Sequence, residues 1–179
     1  MIAGRALPGS CVIMPGPSRV VSLMRAPIMD GPLLAPEARL LARGVARWLD
    51  RQGWRCLTEF PLASGRRVDL MAVDEAGRFL IVEIKTSPGD YRADRKWREY
   101  LDYCDWFAFA VPEEFPVGLL PAEVGLIIAD AFEAVSRRPA MPAPAPLPPA
   151  RRRQLVIRFG RAAAERLRRL TDPDAGDLL

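Results

Sequence analysis

Two short apolar runs joined by a tight turn, RRVDLMAV and RFLIVEIK, constrain the fold of this chain more than any other feature. The turn DEAG between them has the residues of a hairpin loop, so the pattern predicts two antiparallel strands, Arg67–Val73 and Phe79–Lys85. The second run is apolar on both faces until its end, which is typical of a central, buried strand. Charged groups in such strands are costly to bury, yet this hairpin carries Asp69, Glu83 and Lys85.

The segments around the hairpin predict an α/β fold. An amphipathic helix is expected from Pro36 to the residues before Gly53, and a second helix from about 93 to 103. Further strands are predicted at 54–62, 106–111 and 124–129, with a short one at 132–135. The order α-β-β-β-α-β predicts a mixed sheet with helices on its faces.

The 179 residues suit one domain with tails. Residues 1–32 are interrupted by prolines, lack the long apolar stretch of a signal peptide and are expected to be a disordered leader. Residues 33–138 are predicted to form the folded domain. Residues 139–150 are rich in proline and alanine and are expected to be an extended linker. Residues 151–173 predict an arginine-rich amphipathic helix that packs on the core or on a partner.

Composition excludes several classes of protein. The chain has no histidine, which excludes Ser-His-Asp hydrolases, Cys-His proteases and histidine metal ligands. Its three cysteines, Cys11, Cys56 and Cys104, are widely spaced, so we expect reduced thiols in a cytoplasmic protein rather than a zinc site or disulfides. No apolar run approaches the roughly 18 residues of a membrane span.

Positive charge is concentrated near the two ends. The net charge of +4 divides into +2 for residues 1–32, −2 for residues 33–138 and +4 for residues 139–179. This asymmetry indicates a polyanionic partner; a solvated helix face is the alternative.

The three charged residues of the hairpin suggest a chemical site. Because Glu83 and Lys85 are two residues apart, they point to one face of the sheet, and the hairpin can bring Asp69 beside Glu83. Two adjacent carboxylates repel each other in an apolar setting, and a divalent cation such as Mg²⁺ would relieve that repulsion. The lysine could then orient or deprotonate a water, or stabilise developing negative charge, in phosphodiester hydrolysis. The alternative is a salt-bridged cluster that binds nothing.

The same residues carry a family resemblance. Asp69, a gap of 13 residues and then Glu83-Ile84-Lys85 resemble the D…(D/E)xK core of the PD-(D/E)xK nuclease superfamily. The blocks IVEIKTS, DRKW, YLDYCDWFAFAV and FGRAAAERL closely resemble the MmcB-related bacterial DNA repair family, over about residues 36–173. The leading proline of the superfamily motif is replaced here by Val68.

The resemblance implies a restriction-endonuclease-like fold and a deoxyribonuclease that uses Mg²⁺ or Mn²⁺. It implies Asp69 and Glu83 as metal ligands and Lys85 as the catalytic lysine. Many superfamily members add one glutamate, which here is Glu59 or Glu37; Glu59 is favoured for its proximity in the predicted sheet.

DNA is the expected partner, together with a repair protein, and no membrane is expected. Asp94 is expected to cap the helix that follows it or to line a DNA cleft. A non-catalytic DNA-binding or scaffold module is the alternative to a nuclease. The candidate DNA contacts are all basic and lie near the hairpin or in the C-terminal segment: Arg66, Arg67, Lys96, Arg151, Arg152 and Arg153.

Overall fold

A computed structural model describes residues 34–94 and 96–172 of the chain. The predicted leader, residues 1–32, lies outside this part. In chain order the helices and strands are α1 Pro36–Arg51, β1 Arg55–Pro61, β2 Arg67–Val73, β3 Phe79–Ile84, α2 Pro88–Ala93, a 3-10 helix Trp97–Tyr103, β4 Trp106–Val111, a short 3-10 helix Val117–Leu119, β5 Gly125–Ala129, β6 Ala134–Arg138, β7 Met141–Pro142 and α3 Pro149–Thr171.

Seven strands in the described part of the chain form one mixed sheet, in the order β1-β2-β3-β4-β5-β6 with β7 on β4. The first three strands are antiparallel, whereas β3, β4 and β5 are parallel neighbours. The crossover from β3 to β4 contains α2 and the first 3-10 helix, because parallel strands need a long connection. The predicted mixed α/β sheet flanked by helices is confirmed.

Each face of the sheet is covered by a separate apolar core. On one face, α1 contributes Val45 and Leu49 to a core that includes Val82 and Ile84. On the other face, the 3-10 helix and α3 cover an aromatic core that includes Phe107. All six residues of β3 are buried, as predicted for a central strand.

The helix predicted at 93–103 is wrong in its continuity. The chain forms α2 up to Ala93, is extended at Asp94 and resumes as a 3-10 helix at Trp97. The break has a local cause, because the Asp94 carboxylate accepts hydrogen bonds from the Lys96 N–H at 3.0 Å and from Lys85 Nζ at 2.7 Å. Both bonds hold Asp94 outside a helical conformation.

Most of the predicted linker, residues 139–150, is non-helical but belongs to the folded body, and its last two residues already lie in α3. Met141 and Pro142 pair with the start of β4, and the Ala143 N–H donates to the Asp105 carbonyl at 2.8 Å. Leu147 is buried in the aromatic core.

Helix α3 lies on the aromatic core and reaches the outer edge of the sheet. Phe159 packs against Phe60 and Phe79, with ring centroids 5.8 and 6.4 Å apart. Beyond this contact, Arg158 donates to the Pro61 carbonyl at 3.2 Å, and Arg166 donates to the Thr58 and Glu59 carbonyls at 2.6 and 3.2 Å. These carbonyls belong to β1, which ends the sheet order on that side.

Candidate active site

The predicted carboxylates meet where the β2–β3 ladder gives way to side-chain hydrogen bonds. Regular pairing between the strands runs from Val73–Phe79 to Leu70–Val82. Past that point, the Asp69 N–H donates to Glu83 Oε1 at 3.1 Å, and the Ile84 N–H donates to Asp69 Oδ2 at 2.8 Å. One oxygen of each carboxylate therefore accepts a hydrogen bond from the backbone of the opposite strand. These two bonds fix the carboxylates side by side.

In β1 and β2, the alternation of side chains between the two faces of the sheet is also interrupted at this point. Leu57 and Phe60 both pack on the aromatic core, although they are three residues apart, and so do Val68 and Met71. The alternation shifts at Glu59, which has a φ of 51°, and at Asp69, which the register places opposite Glu59. The site thus lies at an irregularity shared by two strands.

Lys85 lies within the same buried cluster, on the face away from α1. Glu83 and Lys85 are 3% and 4% exposed. They alternate along the chain with Val82 and Ile84, which pack against α1, so their side chains lie on the opposite face. The ammonium of Lys85 is 2.7 Å from Asp94 Oδ2 and 3.6 Å from Glu83 Oε2.

Asp94 is the partner of Lys85, a contact that the sequence pattern does not predict. The pattern predicts only a helix cap or a residue of a DNA cleft at this position. The two residues are nine positions apart, and their contact depends on how α2 folds back beside the end of β3. No periodic pattern encodes that contact, although an acidic residue in the loop after ExK was a usable signal.

Burial dominates the electrostatics of the cluster. Burial and then the charge of Asp69 raise the pKa of Glu83 well above its usual value. Burial raises the pKa of Asp69 to about 6, although the Ile84 N–H and Lys85 oppose the shift. For Lys85, burial lowers the pKa, but Glu83 and Asp94 outweigh it and the net shift is upward. The protonated form of Lys85 is therefore favoured, while ionisation of both carboxylates at once is disfavoured.

The carboxylate pair fits a magnesium ion in its chemistry. Among residues 34–94 and 96–172, no group of three or more Asp, Glu, His or Cys side chains converges on a possible metal position. Magnesium commonly takes only one or two carboxylates and keeps several waters. The oxygens Asp69 Oδ1 and Glu83 Oε2 are not used in the anchoring bonds, and Glu83 Oε2 lies 3.6 Å from Lys85 Nζ. The pair therefore offers two hard oxygen donors with the lysine next to one of them.

Glu59 lies close to the pair but is engaged elsewhere. Its Oε1 accepts a hydrogen bond from the Leu34 N–H at 3.1 Å, and its Oε2 forms an ion pair with Arg67 Nε. Its negative charge contributes to the raised pKa of Asp69. Glu37, the other candidate, is exposed in the first turn of α1.

The candidate DNA contacts of the sequence separate into two groups. Four of them bind protein atoms: Arg66 pairs with Glu99 at 2.6 and 2.9 Å, Arg67 pairs with Glu59, Arg151 donates to the Asp102 carbonyl at 2.8 Å, and Arg152 donates twice to Asp105 at 2.8 and 2.7 Å. Lys96 and Arg153 are exposed, and within the described residues neither side chain forms an ion pair. Of the six candidates, Lys96 and Arg153 are therefore the two whose cationic groups are available to a ligand.

No helix in the described part of the chain is long and apolar enough to cross a membrane.

Comparison with known proteins assigns the chain to a family. The family model described as DNA repair protein MmcB-like matches residues 25–174. The chain is also similar to a solved structure, a protein of unknown function from Silicibacter pomeroyi, at 42% identity and a TM-score of 0.75; the match covers 84% of this chain and 99% of that one. No curated protein matches significantly. The chain therefore belongs to the MmcB-like family of DNA repair proteins.

Proposed function

We propose that this protein is a metal-dependent deoxyribonuclease acting in DNA repair, with the D…ExK arrangement of the PD-(D/E)xK nucleases. The observation that carries the proposal is the reciprocal anchoring of Asp69 and Glu83. Each is tied to the opposite strand by one oxygen, with Lys85 beside them. A purely structural salt bridge needs one carboxylate per lysine, whereas this arrangement buries two carboxylates together at an electrostatic cost.

In this proposal Asp69 and Glu83 hold Mg²⁺ or Mn²⁺. The ion, when bound, supplies Lewis acidity toward the phosphate and lowers the pKa of a bound water. The chain's own contribution is positional, because the backbone bonds keep both carboxylates from rotating away.

Lys85 supplies fixed positive charge in the proposed reaction. Its ammonium is held by Asp94 and Glu83, and two carboxylate neighbours stabilise the protonated form. A protonated lysine donates to the oxygen on which negative charge develops during phosphodiester hydrolysis. Of the roles expected for this residue, charge stabilisation fits the geometry better than deprotonation of a water.

DNA would approach the site past Lys96. This residue follows Asp94 by two positions and is exposed; a phosphate contact there would position the strand. A cytoplasmic location fits this role, because Cys56 and Cys104 are both free thiols.

The test is cleavage of labelled single-stranded, duplex and branched DNA with Mg²⁺, with Mn²⁺ and with EDTA. We expect metal-dependent cleavage by the wild type and none by Asp69→Asn or Lys85→Ala. Asp102→Asn is the matched control, since Asp102 is an exposed carboxylate away from the cluster. Cleavage that persists unchanged in both site variants would show that the activity belongs elsewhere.

A non-catalytic DNA-binding or scaffold module is the second candidate. It is favoured by the 2.7 Å pairing of Lys85 with Asp94, which occupies the lysine. Under this function the pure protein binds DNA in a salt-dependent way without cutting it, and Asp69→Asn leaves the affinity unchanged.

A further inference from the structure

The outward surface of α1 carries a row of arginines at every fourth position. Arg39, Arg43, Arg47 and Arg51 are all exposed, and none of them forms an ion pair in the part of the chain that the structure describes. Successive members are about 6 Å apart along the helix axis, and the row extends over about 18 Å. Asp50, an acidic residue of the same helix, is already paired with Arg55 at 2.6 Å. We call these four residues the α1 arginine row.

An exposed aromatic ring lies beside this row. Phe132 is 62% exposed, and the guanidinium carbon of Arg43 is 5.5 Å from its ring centroid. The backbone of the turn that carries this ring is held by two hydrogen bonds. The Asp130 carboxylate accepts them from the Phe132 N–H at 2.7 Å and the Glu133 N–H at 2.8 Å. More than half of the Phe132 surface is thus accessible to a ligand beside the arginines.

Gly44 explains how the turn comes so close to α1. A Cβ atom at this position would lie 2.1 Å from the Asp130 carbonyl oxygen and 2.8 Å from that of Glu133. Glycine inside a helix is less favourable than alanine, so its presence here needs a packing reason. That reason is the close contact that sets Phe132 next to Arg43.

We infer that the α1 arginine row and Phe132 together form a binding surface for single-stranded DNA. Proteins that bind single strands combine a track of positive charge along the backbone with aromatic rings on which bases stack. A duplex keeps its bases stacked inside and offers little to an exposed ring. The combination of an arginine row with one presented aromatic side chain therefore selects the single strand.

This surface is separate from the proposed nuclease site. Val45 and Leu49 of α1 pack against Val82 and Ile84, while Glu83 and Lys85 lie on the opposite face of the sheet. The row is on the exposed side of α1, which packs on the other face of the sheet from the cluster. The inference is thus independent of whether the cluster cleaves DNA.

The experiment measures binding of the full chain to a short labelled oligothymidylate by fluorescence anisotropy, in EDTA and over a range of salt concentrations. The double variant Arg43→Gln/Arg47→Gln should bind more weakly, and its slope of log affinity against log salt should fall by about 0.7 for each phosphate that is no longer neutralised by an arginine. Phe132→Ala should weaken single-strand binding at least about fivefold and leave duplex binding nearly unchanged.

The matched control is Arg161→Gln/Arg168→Gln, which removes the same charge from the exposed face of α3. It should keep the salt slope of the wild type. An equal loss of affinity in the control would reduce the effect to net charge and overturn the proposal. Wild-type binding by the α1 variant would also overturn it, as would anionic phospholipid vesicles competing as well as DNA for the same surface.

Discussion

At the residue scale, the geometry makes Asp94 the residue that positions Lys85. Its carboxylate lies 2.7 Å from the Lys85 ammonium, whereas the carboxylate of Glu83 lies 3.6 Å away. The other oxygen of Asp94 accepts a hydrogen bond from the Lys96 N–H. Burial raises the pKa of Asp94, but the contacts with Lys85 and Lys96 outweigh it, so the net shift of the pKa is downward. Asp94 is thus ionised at neutral pH and constrained at both oxygens.

If the cluster is a nuclease site, Asp94→Ala should lower kcat about ten- to hundredfold with little change in KM, because a misplaced catalytic group costs rate more than binding. Asp94→Glu should restore part of the rate by keeping a carboxylate near Lys85. Steady-state kinetics on a labelled substrate measures both. Asp102→Asn is again the control, since Asp102 is an exposed acid of the 3-10 helix. Faster cleavage by Asp94→Ala would mean that this pair restrains the lysine.

At the scale of the helices, α1 and α3 each contain an interior glycine, and the two should respond in opposite directions to alanine. Gly44→Ala places a Cβ against two backbone carbonyls that cannot turn away. We expect a loss of about 2 kcal/mol in the free energy of unfolding, despite the better helix propensity of alanine. Gly160→Ala meets nothing within 4 Å and should gain up to about 1 kcal/mol. Urea unfolding measures both, and equal effects would contradict the packing argument.

The start of α3 is held to the sheet by Arg152 and Asp105. Burial raises the pKa of Asp105, but the Arg152 guanidinium and the Phe79 N–H outweigh it, so the pKa is lowered. A lowered pKa in the folded state stabilises the fold above the ordinary value near 4, and this stabilisation is lost as the pH falls through the lowered value.

We therefore expect Arg152→Gln to cost about 2 kcal/mol at neutral pH, from two charge-assisted hydrogen bonds. The difference from the wild type should shrink in acid, where Asp105 is protonated. Urea unfolding at several pH values tests this, with Arg153→Gln as the exposed neighbouring control. A difference that does not depend on pH would show that the ion pair contributes little.

At the scale of the whole molecule, local patterns predicted the sheet well. The bounds of β2 and β4 agree with the prediction, because alternation and the DEAG turn are encoded within a few residues. Glu83 and Lys85 were placed on one face by their spacing alone. The meeting of Asp69 with Glu83 followed from the hairpin, and the structure brings the two together.

What local patterns missed depends on contacts between distant segments. The pairing of β7 with β4 joins residues more than thirty positions apart in a proline-rich stretch that carries no strand signal. The interrupted side-chain alternation at Glu59 and Asp69 involves two strands at once, so the sequence of either strand alone does not predict it. The Lys85–Asp94 pair exists only because the crossover folds back on the end of β3.

The contacts of Arg158 and Arg166 with the carbonyls of β1 bear on how this protein behaves at high concentration. An outermost strand with unpaired backbone groups is a template on which another chain can add. Here two bulky guanidinium groups occupy the carbonyls of Pro61, Thr58 and Glu59, and the helix that carries them lies across the strand. These three carbonyls are thereby withdrawn from pairing with a strand of another chain, so we expect α3 to disfavour strand addition at this end of β1.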